Sequence, residues 1–157
     1  MSPRLDRLPE GNRNNLLNLP MQTNDGAPFV HLARPLTACR VTIVTTAGLH
    51  RRDDRPFGPG EQTYRVIPAD TPAADIIQSH TSLGFDRVPI MHDVNISYPI
   101  DRLRELVARR EIGGLGANGY SFMGAQRELT RIEGETGPEV ARRLREDGTD
   151  VAVLTPT

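Results

Sequence analysis

Six consecutive β-branched residues, Val41 to Thr46 (V-T-I-V-T-T), restrict this chain more than any other stretch. Branched side chains lose χ1 freedom in a helix and pack well on a pleated surface, so the run reads as a strand. A second run, Val151, Val153 and Leu154 within D-V-A-V-L-T-P-T (150–157), follows a helix stop at Gly148. It has the pattern of a buried strand in an α/β sheet. Between the two lie helical patterns. Pro99 to Arg110 puts Ile100, Leu103, Leu106 and Val107 on one face, with Asp101 in the first turn, Arg109 and Arg110 in the last, and Gly113 as the stop. Thr136-Gly137-Pro138-Glu139 reads as a capping box with a proline in the first turn. It opens a helix to Asp147 that buries Val140, Ala141 and Leu144. Strands alternating with helices predict an α/β fold, a mostly parallel, Rossmann-like sheet flanked by helices and incomplete at the C-terminus.

The remaining stretches are weaker. Residues 1–36, rich in Asn, Arg and Pro with Leu16, Leu17 and Leu19 as their apolar cluster, read as a mobile N-terminal arm, and 37–157 as the α/β domain. Tyr64 to Ile67 forms a second strand closed by Pro68, and Arg51 to Gly60 an exposed loop. Asp70-Thr71-Pro72 reads as a helix start, with Ala73 to Gln78 either a short helix or extended. Gly114 to Gly119, G-L-G-A-N-G, matches the dinucleotide fingerprint in letters. That motif needs a strand before it and a helix opening on it, whereas here a helix precedes and Tyr120 to Gly124 follows, so a nucleotide site is rejected.

Charge and residue usage exclude several functions. With 19 basic against 20 acidic side chains in 157 residues, no strong field is available for nucleic acid or an anionic bilayer. No apolar run reaches the roughly 18 residues of a membrane span, and Met1 to Pro20 is too polar for a secretory signal, so a cytoplasmic protein is expected. Cys39 stands alone, which excludes an internal disulfide and a cysteine-cluster metal site. Every basic residue is Arg, which excludes a lysine Schiff base in this chain.

In a parallel sheet the chemistry gathers just past the strands' carboxyl ends, where loops converge on a crevice. Thr46 with His50, Ser79 with His80, Asp93 with Asn95, and Tyr120 with Ser121 occupy such positions, beside Thr155 and Thr157. For His50 and His80 a hydrogen bond to a neighbouring backbone carbonyl is the competing role. No two histidines have the helical i, i+4 spacing of a metal site, and none is expected. Cys39 reads as a small hydrophobe.

Several motifs taken together carry a resemblance: V-T-I-V-T-T-A-G-L-H (41–50), Y-R-V-I-P-A-D-T (64–71), D-I-I-Q-S-H (75–80), D-V-N-I-S-Y-P-I-D-R-L-R-E-L (93–106), I-G-G-L-G (112–116), Y-S-F-M-G (120–124), E-T-G-P-E-V-A-R-R-L (135–144) and the final V-A-V-L-T-P. In this order and spacing the chain resembles the selenoprotein B family of glycine, sarcosine, betaine and D-proline reductases over residues 37–157.

The resemblance implies a subunit that reductively cleaves a C–N bond of a glycine, betaine, sarcosine or D-proline type substrate. In the family, the strand resembling V-A-V-L-T-P-T runs into a selenocysteine or cysteine, soon followed by a second cysteine, and that pair is the redox centre. Selenocysteine is therefore expected directly after Thr157 in the full-length protein, with this chain ending at a UGA codon read as a stop, and with no catalytic residue or cofactor of its own. A pyruvoyl-bearing partner subunit captures the substrate amine in the family, in agreement with the absence of lysine here. Thr46, His50, His80, Asp93, Asn95, Tyr120, Thr155 and Thr157 are then expected as substrate or supporting groups around the selenolate. The chain alone is expected to be inactive and to form homo-oligomers. The alternative is a non-catalytic α/β module that binds a small molecule or another reductase subunit.

Overall fold

A computed structural model describes residues 4–18, 26, 30–82 and 86–156. The chain forms two compact units, Met1–His31 and Leu32–Thr157. In the first, a short 3-10 turn (Leu5–Arg7) precedes helix α1 (Glu10–Leu17), which buries no residue and leaves Leu16 and Leu17 exposed. Leu19, the third member of the apolar cluster, lies outside the described residues.

The second unit is built on strand β1 (Arg40–Thr45), the β-branched run. β1 is bonded along both edges. Val41 pairs in parallel with both Leu115 and Val151, and Val44 with both Tyr120 and Leu154, so the two partners of each must lie on opposite sides. On one side stand β5 (Gly114–Leu115) and β6 (Asn118–Phe122), one interrupted line, with β3 (Tyr64–Pro68) antiparallel beyond β6. On the other side stands β7 (Val151–Thr155). The sheet is thus mostly parallel, as the alternation of strands and helices predicts. A separate antiparallel ribbon joins β2 (Leu49–Arg51) to β4 (Ile76–Gln78).

Side chains alternate across the sheet and give two cores. On one face Val41, Ile43, Ile67, Val151 and Val153 pack with Val94, Tyr98 and with Ile100 and Leu103 of α3 (Ile100–Ala108). Ile90, from the short helix α2 (Val88–His92), joins them. On the other face Val44, Tyr64, Val66, Tyr120 and Phe122 pack with Val140 and Leu144 of α4 (Gly137–Glu146). Tyr64 meets Tyr120 edge to face at 5.8 Å between ring centroids.

Four local expectations need correction. The capping box at Thr136 does not form, because the chain is already helical there, entering through a π-helical turn (Ile132–Thr136). Pro138 has no N–H and its ring would crowd the preceding turn of an α-helix. The wider turn, closed by the Gly137 N–H on the Ile132 carbonyl, accommodates it. The Thr136 hydroxyl instead donates to Gln62 O at 2.9 Å, and Glu139 accepts from Tyr64 Oη at 2.7 Å. At Asp70-Thr71-Pro72 no capping bond forms, and only a 3-10 turn (Ala73–Asp75) precedes β4, because Ile76 and Ile77 are drawn into pairing with β2. Arg51, expected in a loop, belongs to that ribbon. Finally, the stop of α3 is Arg110, not Gly113: the helix ends at Ala108 with Arg109 as its C-cap. Arg110 adopts the left-handed conformation (φ 59°), and the Glu111 and Arg110 N–H groups close on Leu106 O and Val107 O, a Schellman stop in an unusual residue.

The glycine-rich stretch supplies β5 and the start of β6, joined through Gly116-Ala117, and not a strand-to-helix turn. Gly116 lies against Thr42 and Asp147, and Gly119 directly over the ring of buried Tyr98, so a Cβ at either position would overlap those side chains. These glycines serve close approach of backbone to side chain, not phosphate binding. Gly119→Ala is therefore expected to destabilise the fold by about 1–3 kcal/mol in denaturant unfolding. The loss should be smaller in a Tyr98→Phe background, where the hydroxyl nearest the added methyl is gone.

Candidate functional site

Parallel pairing brings the carboxyl ends of β1, β6 and β7 to one edge of the sheet. At that edge two threonines on neighbouring strands share one acceptor. Thr45 Oγ1 donates to Ser97 O at 3.0 Å and Thr155 Oγ1 donates to the same carbonyl at 2.8 Å. The Thr46 N–H continues the ladder to Thr155 O at 3.2 Å. Thr45 and Ser97 are buried, so these bonds form where water competes little. The segment Asp93–Ser97 is thereby hung on the ends of β1 and β7.

Asp93 and Asn95 in that segment organise the start of α3. Asp93 Oδ1 accepts from the Asn95 N–H and Nδ2, both at 2.9 Å, while Asn95 Oδ1 accepts from the Asp101 N–H and its Nδ2 donates to Asp101 Oδ2, also at 2.9 Å. The hydrogen bonds from Asn95 hold both carboxyls below the usual carboxylate range. The pair thus acts as a cap, and lies near the crevice through its link to Ser97.

After β1 the chain turns at Ala47, which bridges to Met123, and at Gly48, whose N–H donates to Phe122 O at 2.9 Å. Gly48 has φ 64°, which favours glycine, and the backbone of His80 lies 3.1 Å from where a Cβ would stand. His80 is buried at this turn and accepts from the Ser82 N–H at Nδ1 (3.2 Å). Burial, with the charge of Arg87 adding to it, lowers its pKa and keeps the imidazole neutral. His50, also buried, lies on β2. Its Nδ1 must carry the proton, since it meets the Arg51 carbonyl at 2.7 Å, and its Nε2 has no partner among the described residues.

The fold thus brings Thr46, Thr155 and His80 to the carboxyl edge, with Asp93 and Asn95 one segment behind. His50 sits in the ribbon, held by the backbone-carbonyl bond that its sequence context allows. Tyr120 is mid-strand in the core against Tyr64 and α4. Thr157 lies outside the described residues. Cys39 is at the amino end of β1, fully buried, with its thiol directed to Pro35 O at 3.4 Å, which suits packing and not chemistry. Among the described residues no cluster of three or more His, Cys, Asp or Glu is placed to hold a metal ion, and no helix is long and apolar enough to cross a membrane.

Sequence reasoning missed one feature of this edge. A cavity of about 540 Å³ opens between α4 and the sheet, lined by Val44, Thr46, Met123, Leu144 and Leu154 among others, with no charged side chain. Its rim includes Ala125, in the left-handed conformation at φ 54°, and Ile132 and Gly137 of the π-helical turn. Gly124-Ala125 after a strand and Pro138 inside a helical pattern were the available signals.

The family model for glycine/sarcosine/betaine reductase selenoprotein B matches residues 12–157. The D-proline reductase subunit gamma of Acetoanaerobium sticklandii is 36% identical over 125 residues, covering 79% of this chain and 51% of the relative. The sarcosine reductase complex component B subunit beta of Peptoclostridium acidaminophilum is 28% identical over 143 residues, covering 88% of this chain and 32% of the relative. The chain therefore spans about half, or less, of the length of these curated relatives. No solved structure matches significantly.

Two measurements check the geometry. Thr45→Val and Thr155→Val should each cost about 0.5–1.5 kcal/mol, and because they share the Ser97 carbonyl, the double variant should depart from additivity in a double-mutant cycle. His80 has its ordinary pKa of 6.5 in the unfolded chain and a lower one when folded, so acid favours unfolding. Stability should be complete above pH 6.5 and decline as pH falls below it toward the folded value, and His80→Gln should flatten that slope.

Proposed function

Because the chain belongs to the glycine/sarcosine/betaine reductase selenoprotein B family, we propose that it is the scaffold of a reductase subunit whose redox residue is carried just beyond β7. The reaction proposed is reductive cleavage of a C–N bond in a substrate of the glycine, betaine, sarcosine or D-proline type. One observation carries the reading. The family match runs through β7, and the strand leaves the sheet where Thr45, Thr155 and Ser97 fix its direction.

A selenocysteine or cysteine at that exit supplies a nucleophile and, with a thiol partner, the two electrons that cleavage consumes. Selenolates ionise more readily than thiols, so donors that favour the anion are useful there. The proposal assigns the Thr46 hydroxyl and His80 as such donors. Thr155 and Thr45 orient the exit through Ser97 O, while Asp93 and Asn95 hold that segment against α3. His50 keeps the β2–β4 ribbon in place, and Tyr120 supports the strand from the core. This chain has no lysine, and the proposal assigns capture of a substrate amine as an imine to a partner subunit, for which a pyruvoyl group is the fitting carbonyl.

A second reading has one observation in its favour. The uncharged cavity beside Thr46 is a ready seat for an apolar ligand or a segment of another reductase subunit, without any reaction in this chain. Reconstitution separates the two. The 157-residue chain alone is expected to cleave none of the four in the presence of dithiol, read as amine released from glycine, sarcosine or betaine and as the ring-opened amino acid from D-proline. A chain continued through a redox pair after Thr157, with its partner subunit, is expected to cleave one of them, with the corresponding product. Turnover by the 157-residue chain unaided, or none by the continued chain with its partner, would refute the first reading.

A further inference from the structure

Two tight turns follow β3 at the end of the sheet opposite the crevice. The Thr71 N–H donates to Pro68 O at 3.0 Å and the Asp75 N–H to Pro72 O at 2.9 Å, so the chain folds back twice before entering β4. Pro68 pairs with Asn118 at the start of β6, which puts these turns at the amino edge of the sheet. The Arg52 N–H donates to Asp75 O at 2.8 Å and draws the end of β2 beside them. Between the turns and the ribbon lies a cleft of about 550 Å³, lined by Arg51 and Arg52, by Asp53, Asp70 and Asp75, and by Thr71.

The polar side chains of the cleft fall into two groups. Arg51 forms an ion pair with Asp53. Arg52 Nη2 donates to Ala74 O at 2.7 Å, while its Nε lies 3.6 Å from Asp75, too far for a hydrogen bond, so most of its five donors are unspent. Asp70 and Thr71 differ. Their side chains are those of a helix cap, yet the 3-10 turn beyond them takes no side-chain bond at its start. Neither side chain has a hydrogen-bond or ion-pair partner among the described residues. Asp70 is exposed, with its charge unpaired, whereas Thr71 is only 8% exposed. A hydroxyl at that depth without a partner forgoes the hydrogen bond that most buried polar groups make.

We propose that this cleft binds an amino-acid zwitterion, with its ammonium on Asp70 and the Thr71 hydroxyl and its carboxylate on Arg52. The pattern of charge carries the choice. An anion alone would meet the three aspartates, and a cation alone would meet the two arginines. A zwitterion answers both. The Thr71 hydroxyl accepts an N–H of the ammonium, the Asp70 carboxylate gains a counter-charge, and the unspent donors of Arg52 make charge-assisted hydrogen bonds to the carboxylate. The volume lies in the range of small-molecule sites and exceeds what glycine fills, so longer amino acids are admitted. Since the cleft stands at the amino edge, binding there is separate from any chemistry at the carboxyl edge. This inference is independent of the reductase reading.

Titration of the chain, followed by NMR, with glycine, β-alanine and 4-aminobutanoate tests it, with methylamine and acetate as the two halves of the ligand. At least one amino acid is expected to bind with a Kd of about 1 mM or tighter, and about 10-fold or more tightly than either half. Asp70→Asn and Arg52→Gln should each weaken that amino acid about 10-fold, the first without weakening acetate and the second without weakening methylamine. Thr71→Val keeps the shape, removes the hydroxyl and should weaken binding about 3- to 10-fold. Glu128→Gln, at an exposed residue outside the cleft, should change nothing, and the circular dichroism spectrum should be the same for every variant. The proposal is overturned if none of the amino acids binds, if methylamine or acetate binds as tightly as the best of them, or if folded Asp70→Asn and Arg52→Gln variants keep the full affinity.

Discussion

Everything in the second unit depends on β1 being bonded along both of its edges. A strand with parallel neighbours on each side has no free backbone groups to satisfy, so it is buried on both faces and needs apolar or self-satisfying side chains throughout. Val41 and Ile43 fill one core, Val44 the other, and Thr42 and Thr45 find hydroxyl or carbonyl partners. Because β6 and β7 run in the same direction as β1, their carboxyl ends share one edge. The crevice is a consequence of that alignment.

The same pairing explains why small and polar residues occur where apolar ones would be expected. Gly116 and Gly119 leave space for Thr42 and Tyr98, and Ser121 Oγ accepts from the Leu49 N–H at 2.7 Å. Hydroxyls buried at a strand end satisfy backbone groups that no ladder reaches, as Thr45 and Thr155 do at Ser97 O. A shared acceptor couples two strands and a loop into one rigid support, which suits a reactive residue that must be presented at a fixed angle.

Much of this was legible from local pattern. The β-branched run and the terminal apolar run identified β1 and β7, and helical periodicity identified α3 and α4, because periodicity records which side of an element meets the core. The glycine stretch was recognised as something other than a nucleotide loop from its flanks, although not as a strand. Other features were hidden because their causes are distant in sequence. Thr136 carries the letters of a cap, yet Gln62 takes its hydroxyl and Pro138 widens the turn before it. Asp93 and Asn95 stand in the predicted loop, but their hydrogen bonds run to the start of α3.

Residue order alone determined the fold class and the family, since branching and motif spacing are properties of the chain before it folds. Tertiary structure decided which candidates share a place. It put Thr46, Thr155 and His80 at one edge, returned Tyr120 to the core, and opened the uncharged cavity against α4. Those outcomes rest on pairings between residues distant in sequence, such as Thr45 with Thr155, which no local pattern encodes.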